Sequence, residues 1–305
     1  MAKDEKRLEK EYPLVSIAII TYNQKEYLRE CIESCLAQDY PNFEIVVADD
    51  CSTDGTQDLL REYETKYPGK FVLRLAEKNQ GITGNSNLCI DACTGEYIAL
   101  TGGDDVFYSS KVSRQVEVFE KMRGVAICGT YTHHINEKGE RIGEQRDFKT
   151  RKNPIYTQCE LIESNNGLVP VVSYMIKASA IPPERFDFRL PVASDSLFYF
   201  RVAEKGNIYI VKEFLTGYRV HESHARKIGY RDDSFVSRAL AEYYYPDCLD
   251  AIFSSKSAMY YSLGRLYVKS ADFQKASSFL RKSLKYKFKT KTLIALGLSV
   301  MNIKK

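Results

Sequence analysis

Gly95-Glu96-Tyr97-Ile98-Ala99-Leu100-Thr101-Gly102-Gly103-Asp104-Asp105 is the stretch on which the reading of this chain turns. An apolar run ends in two glycines and two adjacent carboxylates. The run predicts a buried strand, and the glycines stop it and leave backbone room. Neighbouring carboxylates repel, so a fold that keeps Asp104 and Asp105 together at a strand end calls for a cation. All-oxygen ligands of this kind suit Mg2+ or Mn2+ carrying a diphosphate. The competing reading is a polar loop in solvent.

The residues on the N-terminal side weigh on that choice. Leu14 to Ile20 predicts a first strand, followed by the loop Thr21-Tyr22-Asn23. Tyr27, Leu28, Cys31, Ile32, Cys35 and Leu36 have helix spacing. Phe43 to Ala48 predicts a second strand ending in Asp49-Asp50, and Cys51-Ser52-Thr53-Asp54-Gly55-Thr56 opens a second helix. Phe71 to Leu75 predicts a third strand. A loop holding Asn79 and Gly81 leads into a helix through Leu88 and Ala92. Strands alternating with helices imply a doubly wound, mostly parallel sheet with right-handed crossovers. Ligands bind such sheets at the carboxyl ends of the strands. Three successive strand ends here carry polar side chains, which favours a nucleotide or phosphate site over solvated loops. No Gly-x-Gly-x-x-Gly follows the first strand and no Gly-Lys-Ser occurs, so dinucleotide and P-loop readings lose their main support.

The second half is less regular. Val112 to Lys121 predicts a helix, and Val125 to His134 a strand or hairpin arm. Glu137 to Asn153 is charged and without periodicity, a mobile segment over the site. Leu168 to Ile176 predicts a strand broken by Ile181-Pro182-Pro183. Asp195 precedes the helical run Leu197 to Val202, where it serves either chemistry or the helix N-terminus. Short strands are expected over Ile208–Val211 and Phe214–Val220. From Ser234 the chain reads helical, with one helix pair resembling a tetratricopeptide unit. The expected division is a catalytic domain over 1–229 and a helical C-terminal region over 230–305.

Composition sets limits. The chain has 305 residues, 44% hydrophobic and 28% charged, which excludes disorder. No apolar run approaches the roughly 18 residues of a membrane span. A charged N-terminus without an apolar core predicts no export and a cytoplasmic location. The eight scattered cysteines predict buried free thiols and neither zinc nor disulfides. From Lys256 to Lys305, twelve Lys or Arg face one acid, Asp272, so this tail is +11 and the remainder −7 within a chain of +4. A basic tail on an acidic body does not indicate nucleic acid. It suggests a surface that meets phosphate or anionic lipid, at the inner face of a membrane.

Taken together, these residues resemble the family-2 glycosyltransferases, inverting enzymes with the A-type nucleotide-sugar fold. The carriers are Val15 to Asn23, Ile45 to Thr56, Asn79-x-Gly81, Gly95-Glu96-Tyr97-Ile98, Asp104-Asp105, Ser194-Asp195 and Tyr218-Arg219-x-His221. The resemblance covers roughly Leu14 to His221. It implies that Thr21, Tyr22 and Asn23 line a base and ribose pocket and that Asp50 accepts from a uracil ring. Asp49 would support that loop, and Asn79, Gly81 and Asn87 would border the nucleotide. Asp104 and Asp105 stand at the family's metal-binding acidic motif, with His221 near the metal or diphosphate, and Asp195 stands at its catalytic base. A metal-dependent transfer from a UDP-sugar to a glycan or lipid-linked acceptor follows, with the basic C-terminal region as a peripheral membrane contact.

Two departures stand out. The family motif usually begins with Asp where this chain has Gly102, and Ser86 stands where an Arg is usual. The chain contains no Trp, hence no Gln-x-x-Arg-Trp, which points to single addition and not to a polysaccharide synthase. The alternatives are a nucleotidyltransferase, whose Gly-rich basic loop is missing, and a non-catalytic nucleotide-sugar-binding or scaffold protein.

Overall fold

The computed structural model describes residues 12–147, 152–164, 167–192, 194–220 and 228–303. His221 and the charged N-terminus lie outside the described residues.

Four strands form the parallel half of the sheet: β1 (Val15–Thr21), β2 (Phe43–Asp49), β3 (Phe71–Leu75) and β4 (Tyr97–Gly102). Helices α1 (Lys25–Leu36), α2 (Thr56–Lys66) and α3 (Gly81–Asp91) connect them. Next come β5 (Val106–Phe107), α4 (Lys111–Lys121), β6 (Val125–Ile135), β7 (Arg141–Gln145), β8 (Ile155–Tyr156) and α5 (Gln158–Glu163). They are followed by β9 (Met175–Lys177), α6 (Asp195–Val202) and β10 (Asn207–Arg219). The sheet order is β3-β2-β1-β4-β9-β6-β10-β5, with β7 on β6 and β8 on β10. β9 runs antiparallel between β4 and β6, and β5 antiparallel to β10. The sheet is therefore mixed but mostly parallel.

The central strands are apolar on both faces because both faces are covered. Their two-residue period divides them between two layers. Ile17, Ile19, Ile45 and Val47 pack with α1 and α2, whereas Ala18, Val46 and Ala48 join the layer of α3 and α6. That second core continues through Ala241, Tyr245, Cys248 and Ile252. Ala241 belongs to α7 (Ile228–Tyr244) and Ile252 to the start of α8 (Leu249–Lys269), with Tyr245 and Cys248 between the two helices. α9 (Phe273–Tyr286) and α10 (Thr290–Ile303) follow.

Several expectations fail locally. Of Leu168–Ile176 only the last two residues are strand. Pro170 lacks an N–H for a ladder, and a 3-10 turn over Val171–Ser173 precedes β9. The apolar run reflects burial there, not pairing. The Glu137–Asn153 stretch contains β7, an edge strand whose Ile142 is exposed, so no periodicity reveals it. The hairpin turn before it is held by Asn136, whose Oδ1 accepts from the N–H groups of Lys138 and Glu140. The two short strands after residue 207 are one strand, β10, with an irregularity between Val211 and Phe214. The expectation of eight free thiols also fails. Cys159 of α5 and Cys248 form a disulfide, with Cα atoms 5.1 Å apart and a sequence separation of 89. Only the packing of α5 against the α7–α8 junction brings them together, so spacing could not show it. The other six cysteines are free.

Lys111 opens α4 and is 0% exposed. Its Nζ donates to Gln115 Oε1 at 2.8 Å and lies 4.0 Å from the Phe107 ring centre. Burial pushes its pKa down to about 7. The unfolded value is about 10.4, so between about pH 7 and about pH 10 the native state binds fewer protons and gains stability as pH rises. We predict that Lys111→Met removes this dependence. Measured by denaturant unfolding, the difference from wild type should favour the variant most at pH 7. It should shift toward wild type by a few kcal/mol, in order of magnitude, as pH approaches 10. Identical pH dependence in the two proteins would contradict the assignment.

Candidate active site

Parallel register brings the strand ends to one edge. Thr21 pairs with Asp49 across β1 and β2, and Ile20 with Gly102 across β1 and β4. The loops beyond are cross-linked by side chains. Asn23 takes a left-handed φ of 51°, its N–H donates to Ser52 Oγ, and its Oδ1 accepts from Thr53 N–H, both at 2.8 Å. The Asp49 carboxylate accepts from Ser52 N–H and from Gln57 Nε2, both at 2.9 Å. Asn23 and Asp49 thus shape the pocket wall.

Asp50, 3% exposed, aims at the N-terminus of α3. Its two oxygens accept from Gln80 N–H at 2.6 Å and Gly81 N–H at 2.9 Å. A carboxylate offers about four lone-pair positions, so each oxygen keeps one for a ligand. Asn79 donates from Nδ2 to the Asp50 carbonyl and accepts Gly81 N–H. Thr21 is buried beside this group and Tyr22 is half-exposed at the mouth. Asn85, which the sequence reading missed, donates to the carbonyls of Ala48 and Thr21, and its Oδ1 is buried without a hydrogen bond. Asn87 does not join them. Its amide is engaged on both sides by the backbone of Phe186, at 3.0 and 2.9 Å, and Ser86 donates back to Ile82 within α3.

The acidic pair is buried, Asp104 at 4% and Asp105 at 2% exposure. A Cβ at Gly102 would lie 2.6 Å from Asp104 Oδ1, and one at Gly103 3.0 Å from Thr21. The Asp104 carboxylate therefore fills the room that a side chain at 102 would occupy. Burial, and then the Asp104 charge, raises the Asp105 pKa well above the usual carboxylate range. Among the described residues no cluster of three His, Cys, Asp or Glu stands ready for a metal. Two adjacent carboxylates still fit a Mg-type ion, which is usually completed by phosphate oxygens and water.

Arg219, at the end of β10, holds this loop. Its N–H donates to Asp105 Oδ1 and its Nε to the Asp104 carbonyl, both at 2.8 Å. Its Nη1 donates to the carbonyls of Asn136 and Glu137, and its Nη2 pairs with Glu30 of α1. The side chain is 0% exposed and lies over the Tyr27 ring.

Asp195 occupies the first turn of α6, with Ser196 N–H donating to its Oδ1 at 2.8 Å. Ser194 Oγ lies 2.9 Å from Thr83 Oγ1, which ties this turn to α3. Asp195 faces a cavity of about 520 Å3 shared with His134, Gln145, Tyr174, Tyr199, Tyr218 and Arg238. Burial raises its pKa, the Arg238 guanidinium opposes that rise, and Asp233 adds to it. Four of these neighbours come from β6, β7, β10 and α7, far apart in sequence and silent in any local pattern.

The fold is that of the nucleotide-diphospho-sugar transferases. S. aureus TarS residues 1–349, solved in complex with UDP-GlcNAc, shares the fold with a TM-score of 0.64. That match covers 89% of this chain and 81% of that one at 16% identity. Residues 16–177, more than half of the chain, match the model of glycosyl transferase family 2, and the chain belongs to that family. Bacillus subtilis EpsE, named as a glycosyltransferase, is 36% identical over 129 residues, 42% of this chain and 46% of that one. B. subtilis TuaG, named for teichuronic acid biosynthesis, is 35% identical over 105 residues, 34% and 41% of the two chains. The match thus spans less than half the length of either relative.

Arg219→Lys keeps the charge but cannot reach three elements with a fork. It should cost about 2 kcal/mol, read as a lower thermal midpoint, and weaken UDP binding in calorimetry. Unchanged midpoint and affinity would refute the hub.

Proposed function

We propose that the chain moves a sugar from a UDP-sugar to a hydroxyl of a glycan or lipid-linked acceptor in surface polysaccharide synthesis, with inversion. The observation that carries this reading is Asp195, a half-buried carboxylate on the wall of a cavity of about 520 Å3. In the proposed reaction Asp195 takes the proton from the acceptor hydroxyl. That oxygen attacks the anomeric carbon from the face opposite the diphosphate, and the bond to the departing phosphate oxygen breaks with its electron pair. A single in-line displacement inverts the centre and needs no protein nucleophile.

The remaining roles extend the same proposal. Asp50 accepts from the uracil N–H with its free lone pairs, while Thr21, Tyr22, Asn79 and Gly81 border the nucleoside. Asn23 and Asp49 hold the loops. Asp104 and Asp105 would hold a divalent cation, Mn2+ or Mg2+, which would supply positive charge to the departing diphosphate. His221 remains a proposed neighbour of that ion. Likeness to a structure with UDP-GlcNAc supports the donor class, and likeness to TuaG supports the polysaccharide setting. We further propose residues 1–229 as the catalytic unit, with α7 of the region 230–305 completing its cavity. The alternative, a sugar-nucleotide binder without catalysis, gains support from Gly102. It leaves the half-buried carboxylate of Asp195 without a task.

Two measurements test this. In a panel of UDP-, GDP- and dTDP-sugars with Mn2+ or chelator, one UDP-sugar should be turned over in a metal-dependent manner. Asp195→Asn should cut transfer by about 10^2- to 10^4-fold and leave UDP binding intact. Loss of UDP binding, or full transfer, would reject Asp195 as the base. The second is a pH profile. Asp195 works deprotonated and its pKa is raised, so the rate should fall with acid above the ordinary carboxylate range. Arg238→Gln removes the opposing charge and should move that acid limb to higher pH. An unmoved limb would separate Arg238 from the base.

A further inference from the structure

α10 is built inside out. Thr292, Ala295 and Ser299 face the protein, at 0, 5 and 1% exposure. Leu293, Ile294, Leu298 and Met301 face outward at 48, 60, 51 and 60%, and Phe288 just before the helix is 69% exposed. At about 3.6 residues per turn these two sets fall on opposite faces. A surface helix in water normally does the reverse. The small inner residues let α10 lie close to α9. Ser299 Oγ donates to the Phe273 carbonyl at 3.2 Å and accepts from Ser277 Oγ at 3.3 Å. The inward face is thus fully used, and the large apolar side chains remain outside.

The flanks carry one sign of charge. Lys285, Lys287 and Lys291 are exposed around the start of α10. Burial, and then Lys291 and Lys287, pushes the Lys289 pKa down. The one acid between Lys256 and Lys305, Asp272, is already paired with Lys275 at 3.0 Å.

We propose that the outer face of α10 docks in the plane of an anionic lipid surface. Phe288, Leu293, Ile294, Leu298 and Met301 enter the acyl boundary and the lysines meet the headgroups. Charge decides between occupants. A second copy on the same face would bring two lysine clusters together with no free acid in this region to answer them. Among the described residues no helix is long and apolar enough to cross a membrane, so the contact is peripheral. The inference stands apart from the transfer reaction, and its test needs no turnover.

The full chain is floated with vesicles of pure phosphatidylcholine, or of phosphatidylcholine with about one third phosphatidylglycerol, at low salt and at about 0.5 M NaCl. Binding should require the anionic lipid and weaken with salt. Ile294→Glu with Leu298→Glu should weaken it tenfold or more while circular dichroism and thermal midpoint match wild type. If that variant does not fold, Lys287→Gln with Lys291→Gln should still lose the anionic preference. Equal binding of wild type and folded variants, or no preference for anionic vesicles, overturns the proposal. So does a wild-type dimer in light scattering that the double Glu variant dissociates, without vesicle binding; the face would then belong to a second copy.

Discussion

A guanidinium with no solvent contact has to be answered by acceptors on every side, and Arg219 finds them on three separate pieces of chain. Its partners are the acidic loop, the β6–β7 turn and α1, and its own backbone N–H also donates to Asp105 of that loop. Leaving any of its donors unmade would cost more than the bond itself contributes, so the three pieces are fixed jointly to β10. The consequence reaches beyond stability. Asp104 and Asp105 repel each other and are buried, and the loop would open to water if nothing held it. Arg219 restrains it through backbone groups and one carboxylate oxygen.

The second constraint is close approach at the strand edge. Thr21, Gly102 and Gly103 sit so near one another that side chains at 102 and 103 would meet Asp104 and Thr21. Gly102 is where the family pattern usually has Asp. In this chain the Asp104 carboxylate turns back into that space. The pocket therefore keeps a carboxylate near the position the pattern requires, supplied from two residues further on. This gives the departure at Gly102 a physical content: the pattern has lost one carboxylate, and Asp104 has turned into its space.

Much of this was legible before folding. β1, β2 and β4 are unbroken apolar runs ended by polar or Gly-rich loops, because parallel strands covered on both faces leave no other pattern. The same pattern placed Thr21, Asn23, Asp50 and the acidic pair at one edge of the sheet, where the register puts them. What the sequence hid is what depends on distant contacts. β9 is three residues long and exists through its neighbours. β7 is an exposed edge strand without an apolar face. Cys159 and Cys248 carry no spacing signal. Asn87 was expected near the nucleotide from the resemblance, and no local pattern showed that its amide would bond the Phe186 backbone on both sides. Arg219 was visible as a motif letter, but nothing local showed that it would be buried.

The base of a transfer reaction is effective when its proton affinity lies near the working pH, and a carboxylate in water is too weak. In the proposed role Asp195 would gain basicity from its partial burial beside Tyr174, Tyr199 and Phe200. The Ser196 N–H opposes that rise first, and Arg238 after it. Arg238 comes from α7 and is fixed there by the Ser234 carbonyl and Ser255 Oγ. Ser255 lies on α8, which the Cys159–Cys248 bond and the continuous core fasten to the rest of the molecule. The C-terminal helices therefore bear on chemistry as well as on the surface they offer. α7 and the first half of α8 set the charge balance around Asp195, and α9 and α10 build outward from that fixed base. The apolar face of α10 lies at the outer end of this same helical stack, the end that takes no part in balancing Asp195.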